Sequence, residues 1–484
     1  MKSTAGIVGV PSAMAFLVVA MLVAVGLPSA VAGVRPTLAS TSASATGAGD
    51  QLWARRYNGP GNGQDGAAAL GVSPDGSRVF VTGRSEGGSS LSDYATVAYD
   101  AASGAKIWSK RYDGPAGSSD EAKALGVSPD GTKLFVTGRS FDPSSGYDYA
   151  TVAYDAASGA RLWAKRYDGQ SSQDDSATAI AVSPDGSRVF VTGSSEGVSQ
   201  DYATVAYDAA SGAKLWARRY NGPADGDDSG HAVGVSPDGS TVFVTGSSDF
   251  GSSSYDVLTF ALNARTGAER WATRYNAPWN LSDGGNALGV SADGSRLYVA
   301  GWDTTTSTGM DYFTLAFDAA SGETLWGRPY NGPVSAADVA VALVVSPDGS
   351  KVSVTGESDG GSAGTDYATV TYDASGSLLW AKRYDGLASL DDRADAIAAA
   401  PDGSKVFVTG SANQGSSGAD YTTVAYDASS GAKLWVKRYD GPANGADQAV
   451  ALGVGPDGSS LFVTGSSDGG PTSADYVTVA YSAG

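Results

Sequence analysis

Short runs of apolar residues alternate with polar ones throughout the chain after residue 51. In the unit that ends near residue 220 these runs read AIAVS, RVFVTG, YATVAYD and AKLWARRY, and Gly, Pro, Asp and Ser separate them. Val, Tyr, Thr and Phe favour strands, whereas the separating residues favour tight turns. Each unit therefore predicts four short β-strands, which we call A, B, C and D.

One tryptophan in strand D marks the length of the repeat, which is 53 to 55 residues. A four-stranded antiparallel unit of this length, repeated eight times, is typical of a β-propeller. Each small sheet, or blade, must pack on its neighbours because it cannot bury both faces alone. The marker residues are Trp53, Trp108, Trp163, Trp216, Trp271, Trp326, Trp380 and Trp435.

The two ends of the repeat region complement each other. Residues 52–57 form a D strand with no C strand before it, and residues 476–481 form a C strand with no D strand after it. Pairing of these segments would remove an open sheet edge. The predicted fold is therefore all-β, an eight-bladed β-propeller over residues 51–484 in which the N-terminal strand completes the last four-stranded antiparallel blade.

The N-terminus has the features of an export signal. Lys2 precedes an almost wholly apolar stretch over residues 13–27, and residues 30–32 (AVA) fit the small-x-small cleavage rule. The stretch is short for a membrane span, which needs about 20 residues, although a retained anchor is the alternative. We interpret residues 1–32 as a signal peptide and residues 33–50, which are small and polar, as a flexible linker.

Composition narrows the classes of partner. The 484 residues include one His and no Cys, and the formal charge is −19. Nucleic acid and anionic lipid are disfavoured because both require a basic surface. The expected partner is a glycan, a small molecule or an extracellular protein, with no membrane contact beyond the signal segment, and the expected state is a secreted monomer.

The turn between strands C and D carries a recognisable motif. Residues 263–271 read NARTGAERW and the other units carry close variants such as DAASGAKLW. This motif resembles the repeat of the pyrroloquinoline-quinone-like propellers, and the resemblance covers nearly all of residues 51–484. It implies an eight-bladed propeller from a superfamily that includes quinoprotein dehydrogenases and non-enzymatic relatives, among them an outer-membrane assembly scaffold.

The dehydrogenase branch of that superfamily makes demands that this sequence does not meet. Those enzymes are typified by a disulfide of adjacent cysteines over the quinone and by a calcium ion held through Glu, Asn and Asp. This chain has no Cys, and almost every Asp belongs to the repeat. We therefore expect no pyrroloquinoline quinone and favour the non-enzymatic branch.

Two rings of aspartate recur in all eight units and are expected on one rim. One interpretation is an anionic mouth for Ca²⁺, since carboxylate oxygens suit hard cations. The other is structural, with each Asp capping its loop or pairing with the Arg near the end of strand D. The A ring, at the start of strand A, is Asp65, Asp120, Asp175, Asp228, Asp283, Asp338, Asp392 and Asp447; the C ring, near the start of strand C, is Asp93, Asp148, Asp201, Asp256, Asp311, Asp366, Asp420 and Asp475.

The unit around residues 271–326 departs most from the repeat. It holds both tryptophans outside the marker set, Trp279 and Trp302, in two loops that map to the Asp-rich rim. Aromatic rings beside carboxylates and amides such as Asn286 suit stacking on a sugar or a flat or cationic ligand. Asp283 and Asp303 are the candidate metal ligands there. The structural alternative is that each Trp only covers a loop.

The third position after each A-ring Asp varies, whereas the next position is always Ala. Variation on a fixed scaffold is typical of a ligand-facing site. We expect Lys123, His231, Asn286 and Asp395, together with Thr178, to line the mouth of the central channel. A lone His without a nucleophile nearby is a weak catalytic signal. The preferred function is a non-catalytic binding scaffold; the alternative is an extracellular enzyme, a hydrolase or lyase at the channel mouth, or a quinoprotein dehydrogenase.

Overall fold

The computed structural model describes residues 47–88, 91–251, 255–361, 364–415, 418–470 and 473–484. They form eight four-stranded antiparallel sheets in which sequential strands are neighbours. Neighbouring A strands contact one another around the ring, which places them innermost. The predicted eight-bladed propeller is confirmed. The signal peptide and residues 33–46 of the predicted linker lie outside the described residues.

The strands are grouped below by blade. Strand β1 is Gln51–Tyr57 and belongs to blade 8. Blade 1 is β2 Asp65–Val72, β3 Arg78–Glu86, β4 Ser92–Asp100 and β5 Lys106–Tyr112; blade 2 is β6 Asp120–Val127, β7 Lys133–Asp142, β8 Gly146–Asp155 and β9 Arg161–Tyr167; blade 3 is β10 Asp175–Val182, β11 Arg188–Glu196, β12 Gln200–Asp208 and β13 Lys214–Tyr220; blade 4 is β14 Asp228–Val235, β15 Thr241–Asp249, β16 Tyr255–Asn263 and β17 Glu269–Tyr275. Blade 5 is β18 Asp283–Val290, β19 Arg296–Thr305, β20 Gly309–Asp318 and β21 Thr324–Tyr330; blade 6 is β22 Asp338–Val345, β23 Lys351–Asp359, β24 Thr365–Asp373 and β25 Leu378–Tyr384; blade 7 is β26 Asp392–Ala399, β27 Lys405–Asn413, β28 Ala419–Asp427 and β29 Lys433–Tyr439; blade 8 is completed by β30 Asp447–Val454, β31 Ser460–Asp468 and β32 Ala474–Ser482.

The chain ends close the ring as predicted. Strand β1 pairs antiparallel with β32, from Gln51 opposite Tyr481 to Tyr57 opposite Tyr476. The hydroxyl of Tyr476 donates a 3.2 Å hydrogen bond to the carbonyl of Ala95 in blade 1, so blade 8 is also tied to its next neighbour. The described residues hold no helix that is long and apolar enough to cross a membrane.

Residues 47–50 supply part of the C–D turn that blade 8 lacks. The Gly49 N–H donates to the carbonyl of Ser482 at 2.8 Å, and the Ser482 N–H donates to that of Asp50. Gly49 has a φ of 77°. A Cβ there would lie 3.0 Å from the Trp435 ring, so the glycine lets the turn rest on that tryptophan.

The marker tryptophans join one blade to the next. The Trp163 Nε1–H donates to the carbonyl of Ala209 in the following blade at 3.2 Å. The ring also lies against Gly212 of the same turn, where a Cβ would come within 2.6 Å of the indole. The repeated motif therefore contains both halves of the interface: a tryptophan for one neighbour, and an alanine and glycine for the other. Equivalent bonds join Trp53 to Ala101, Trp108 to Ala156, Trp216 to Ala264, Trp271 to Ala319, Trp326 to Ala374 and Trp380 to Ala428.

Candidate functional site

The D–A and B–C loops lie on one face of the propeller, which we call the loop face; the A–B and C–D turns form the opposite turn face. Both aspartate rings are on the loop face. Each A-ring carboxylate is buried and accepts the backbone N–H of the residue six positions earlier. The A ring therefore caps the eight D–A loops. The donors are Gly59, Gly114, Gly169, Gly222, Ala277, Gly332, Gly386 and Gly441.

The C ring serves mainly as a set of partners for arginine. In blade 2, Arg166 contacts Asp148 at 2.5 Å and also donates to the hydroxyl and carbonyl of Ser140. We call this arrangement the arginine clamp. Its ion pairs are Arg56–Asp475, Arg111–Asp93, Arg166–Asp148, Arg219–Asp201, Arg274–Asp256 and Arg383–Asp366.

Blade 5 replaces two parts of this clamp. Pro329 stands where the arginine stands elsewhere, and Asp303 stands in place of the serine. Strand pairing sets Asp303 opposite Asp283 on one side and opposite Asp311 on the other. Thr308 donates its hydroxyl to Asp311 at 2.7 Å. Three carboxylates therefore lie side by side in a blade that has lost its guanidinium.

Burial and mutual repulsion raise the pKa of these acids. Burial, with the charges of Asp283 and Asp311, raises the pKa of Asp303 to about 7. Burial raises the pKa of Asp283 to about 6, and it also raises the pKa of Asp311. The Asp303 carboxyl is 6% exposed, and its Oδ1 has no hydrogen-bond partner among the described residues.

Trp279 and Trp302 occupy different positions on the same blade. Trp279 is 52% exposed in the loop between β17 and β18. Trp302 is half-buried on β19 opposite Gly284, where a Cβ would lie 2.8 Å from the indole. The indole therefore covers the innermost strand of blade 5, whereas Trp279 faces solvent.

The Trp279 loop is braced by local hydrogen bonds. Asn276 donates its side-chain amide to the Asn280 side chain at 2.8 Å, and the Asn280 N–H donates to the Ala277 carbonyl. Ala277 in turn donates to Asp283 at 2.7 Å. The loop thus holds Trp279 in an exposed position and ties it to the acidic group of blade 5.

Three of the predicted channel residues bridge neighbouring A strands. The Thr178 hydroxyl and the Asn286 amide donate to the carbonyls of Gly230 and Ala340 at 2.7 and 2.8 Å. The His231 Nδ1 lies 2.9 Å from the Gly285 carbonyl, and burial lowers its pKa. These contacts provide a structural use for all three side chains, and their role in binding stays a prediction.

The remaining channel candidates have ionic partners on their own strands. Lys123 pairs with Glu121 at 2.8 Å, and Asp395 pairs with Arg393 at 3.0 Å. Burial raises the pKa of Asp395 to about 6, with Arg393 acting against the shift. Lys123, His231 and Asp395 belong to blades 2, 4 and 7, so the fold distributes them around the channel.

Sequence reasoning missed the second position of strand A. It carries Glu121 and Arg393, the partners of Lys123 and Asp395, and Glu121 also pairs with Arg139 at 2.9 Å. This position also varies among the blades, with six residue types against seven at the fourth position, so the same comparison of repeats contained the signal. Its residues are Gly66, Glu121, Ser176, Ser229, Gly284, Val339, Arg393 and Gln448.

Large exposed apolar side chains are distributed unevenly between the faces. Within the described ranges they occur on the outer D strands and on the loop face, and none occurs on the turn face. Such side chains, on loops that differ between blades, mark the loop face as the surface suited to interaction. Those on the loop face are Leu91, Val198, Tyr255, Trp279, Leu387 and Leu390.

Four groups of acids bring carboxylate oxygens within 4.8 Å of one another. Each joins a C-ring Asp, the first Asp of the following loop and an A-ring Asp. The predicted ligands Asp283 and Asp303 are not in these groups, and their metal role stays a prediction. The groups are Asp93–Asp113–Asp120, Asp148–Asp168–Asp175, Asp366–Asp385–Asp392 and Asp420–Asp440–Asp447.

A comparison of the sequence with models of protein families finds a match over much of the repeat region. The family described as outer membrane protein assembly factor BamB matches residues 39–202 and 201–369, which together exceed half of the chain. The chain belongs to this family. No curated protein matches the sequence.

Solved structures share the fold at low sequence identity. BamB from Moraxella catarrhalis is 16% identical with a TM-score of 0.51, and the match covers 90% of this chain and 99% of that one. Sqt1 from Chaetomium thermophilum, solved with the N-terminus of ribosomal protein L10, is 14% identical with a TM-score of 0.57, covering 90% and 100%. Quinohemoprotein alcohol dehydrogenase from Comamonas testosteroni is 12% identical with a TM-score of 0.55, covering 90% and 76%.

The residues of this chain do not fit a quinone in the manner of the dehydrogenases. The chain has no Cys, so the disulfide over the quinone cannot form. Around the channel, Thr178, His231 and Asn286 contact backbone carbonyls of neighbouring blades. These residues therefore do not form a pyrroloquinoline quinone site of the kind found in the dehydrogenases.

Proposed function

We propose that this protein is an exported, non-catalytic scaffold that binds a glycan on the loop face of blade 5. The observation that carries the proposal is the exposure of Trp279 on a braced loop beside the carboxylates of blade 5. An exposed indole stacks on the apolar face of a sugar ring. Asp303 and Asp311 are each only 6% exposed, so the indole, and not these carboxylates, supplies the contact with the sugar.

The placement of the titratable groups favours binding over catalysis. An enzyme needs its acid and base within hydrogen-bond reach of one substrate. Lys123, His231 and Asp395 belong to three separate blades, and each contacts its own strand or the next blade. Repetition of both aspartate rings in all eight blades also fits a scaffold.

A hydrolase or lyase at the channel mouth is the second candidate, and one residue favours it. Burial raises the pKa of Asp395 to about 6, which is suitable for a general acid near neutral pH. Its Arg393 partner is on the same strand.

A glycan-binding screen tests the proposal. We expect the native protein to bind one class of glycan. We expect Trp279→Ala, alone and in the double variant with Trp302→Ala, to bind it at least about tenfold more weakly. Leu387→Ala is the matched control, because Leu387 is an exposed apolar residue of another loop on the same face. Failure of the native protein to bind any glycan, or equal binding by the double tryptophan variant, would refute the assignment.

The glycans bound in this screen also distinguish the non-catalytic scaffold from the hydrolase or lyase. Bound glycans are recovered after incubation and analysed by mass spectrometry. Intact glycans are expected for a scaffold. Cleaved products that disappear with Asp395→Asn would favour the enzyme.

A further inference from the structure

Blade 7 departs from the arginine clamp in a different way from blade 5. Ala412 stands in place of the serine, so one hydrogen-bond acceptor for the arginine is missing. Arg438 donates to the hydroxyl of Tyr384 in blade 6 at 2.7 Å, a contact with the preceding blade that the clamp arginines Arg166 and Arg383 also make, with Tyr112 and Tyr330. Within the described residues, Arg438 forms no ion pair with Asp420, the C-ring carboxylate of its own blade.

Asp420 is consequently a buried acid without an ion pair among the described residues. It is 4% exposed, and its Oδ1 has no hydrogen-bond partner in the described part of the chain, as is also true of Asp93, Asp148 and Asp366. The feature that distinguishes Asp420 from the other three is the missing ion pair, and a buried carboxylate without one is unfavourable unless a cation neutralises it.

In the other three acid groups, an arginine supplies the positive charge that the group around Asp420 lacks. Each has the same three positions occupied by Asp, with oxygens within 4.8 Å of one another. In each of them an arginine contacts the C-ring carboxylate, and a serine hydroxyl accepts from that arginine. The arginine–aspartate distances are 2.6 Å for Arg111–Asp93, 2.5 Å for Arg166–Asp148 and 2.5 Å for Arg383–Asp366.

We propose that a divalent cation, Ca²⁺, binds between blades 7 and 8 through Asp420, Asp440 and Asp447, in the place that a guanidinium neutralises elsewhere. Three carboxylates supply hard oxygen ligands, which Ca²⁺ prefers, and water completes its coordination. Asp447 is fixed by the Gly441 and Asp468 N–H groups, whereas Asp440 is exposed and already has an oxygen within 4.8 Å of the other two. The site is separate from Trp279 and does not rest on the glycan proposal.

Terbium luminescence and calorimetry with Ca²⁺ on the chelator-treated full chain test this site. We expect one Tb³⁺ per chain, displaced by Ca²⁺ at roughly millimolar concentration or below. Asp440→Asn removes an exposed ligand and is expected to weaken binding by about tenfold or more. Asp385→Asn changes the matched exposed residue of a clamped group and is expected to leave binding unchanged.

A second variant tests the physical cause. Ala412→Ser restores the hydroxyl that holds the arginine in other blades, so Arg438 should contact Asp420 and compete with the cation. We expect weaker Ca²⁺ binding with the fold retained in circular dichroism, although no ligand has been changed. No binding by the native chain, binding insensitive to Asp440→Asn, or equal loss with Asp385→Asn would each overturn the proposal.

Discussion

Asp303 is an acid in the position where most blades place a serine. A serine accepts from the clamp arginine, but blade 5 has Pro329 there, so the carboxylate meets two other carboxylates and no guanidinium. The buried position therefore favours the protonated form of the carboxyl. An aspartate on the turn face has its pKa shifted in the opposite direction. There, Ser291 and Ser295 donate to Asp293 and lower the pKa of its carboxyl to about 2.

The substitution Asp303→Asn should make stability less dependent on pH. The folded protein keeps the Asp303 proton up to about pH 7, whereas the unfolded chain releases it near the ordinary value of 3.8. Stability therefore falls as pH rises between these values, because the native state binds more protons. Asparagine removes this loss, so we expect a gain of about 1 kcal/mol or more in the free energy of unfolding at pH 8, and a smaller gain at pH 5.

Urea unfolding at both pH values, with chelator present, measures the effect. Asp293→Asn is the control in the same blade. Since the pKa of Asp293 is lowered on folding, its ionised form stabilises the protein, and the variant should be destabilised at pH 8. A destabilised Asp303→Asn at pH 8 would show that Asp303 acts as an ionised structural acid.

At the scale of the element, the four-stranded blade was predictable because the same sequence pattern recurs in every unit. Alternating strands, a turn at each PDG and a marker tryptophan predict four strands and their order. The choice of side-chain partner was not predictable. Arg383 and Arg438 occupy equivalent positions, yet within the described residues only Arg383 forms an ion pair with the C-ring aspartate of its own blade. Blade 7 has Ala412 where blade 6 has Ser358, which accepts from Arg383. Departures from the repeat, more than its motif, therefore indicate where chemistry is located.

The marker tryptophans allow a matched test of the blade interface. Trp163 donates its indole N–H to Ala209, whereas the Trp435 Nε1 has no partner among the described residues. We expect Trp163→Phe to destabilise the protein by about 1 kcal/mol more than Trp435→Phe, since only the first change breaks a buried hydrogen bond. Chemical unfolding of the two variants measures the difference, and equal losses would mean that ring packing alone stabilises the interface.

At the scale of the whole molecule, closure depends on two distant segments. The sequence predicted the pairing of residues 52–57 with residues 476–481, which the register of β1 and β32 confirms. The contribution of residues 47–50 was not predicted because they are small and polar and resemble a linker. A signal was present: Gly49 precedes Trp53 by the same spacing that separates Gly104 from Trp108 in the repeated turn.

Removal of this segment should open the ring. A chain beginning at residue 58 lacks β1 and exposes the edge of β32, so we expect aggregation and a lower melting temperature. A chain beginning at residue 47 keeps β1 and the half-turn and serves as the control; it should remain a stable monomer in size-exclusion chromatography. Gly49→Ala in the control chain tests the half-turn separately from β1, because the alanine strains the turn over Trp435 while β1 can still pair with β32. If the chain from residue 58 is as soluble and as stable as the control, β1 does not close the propeller in solution.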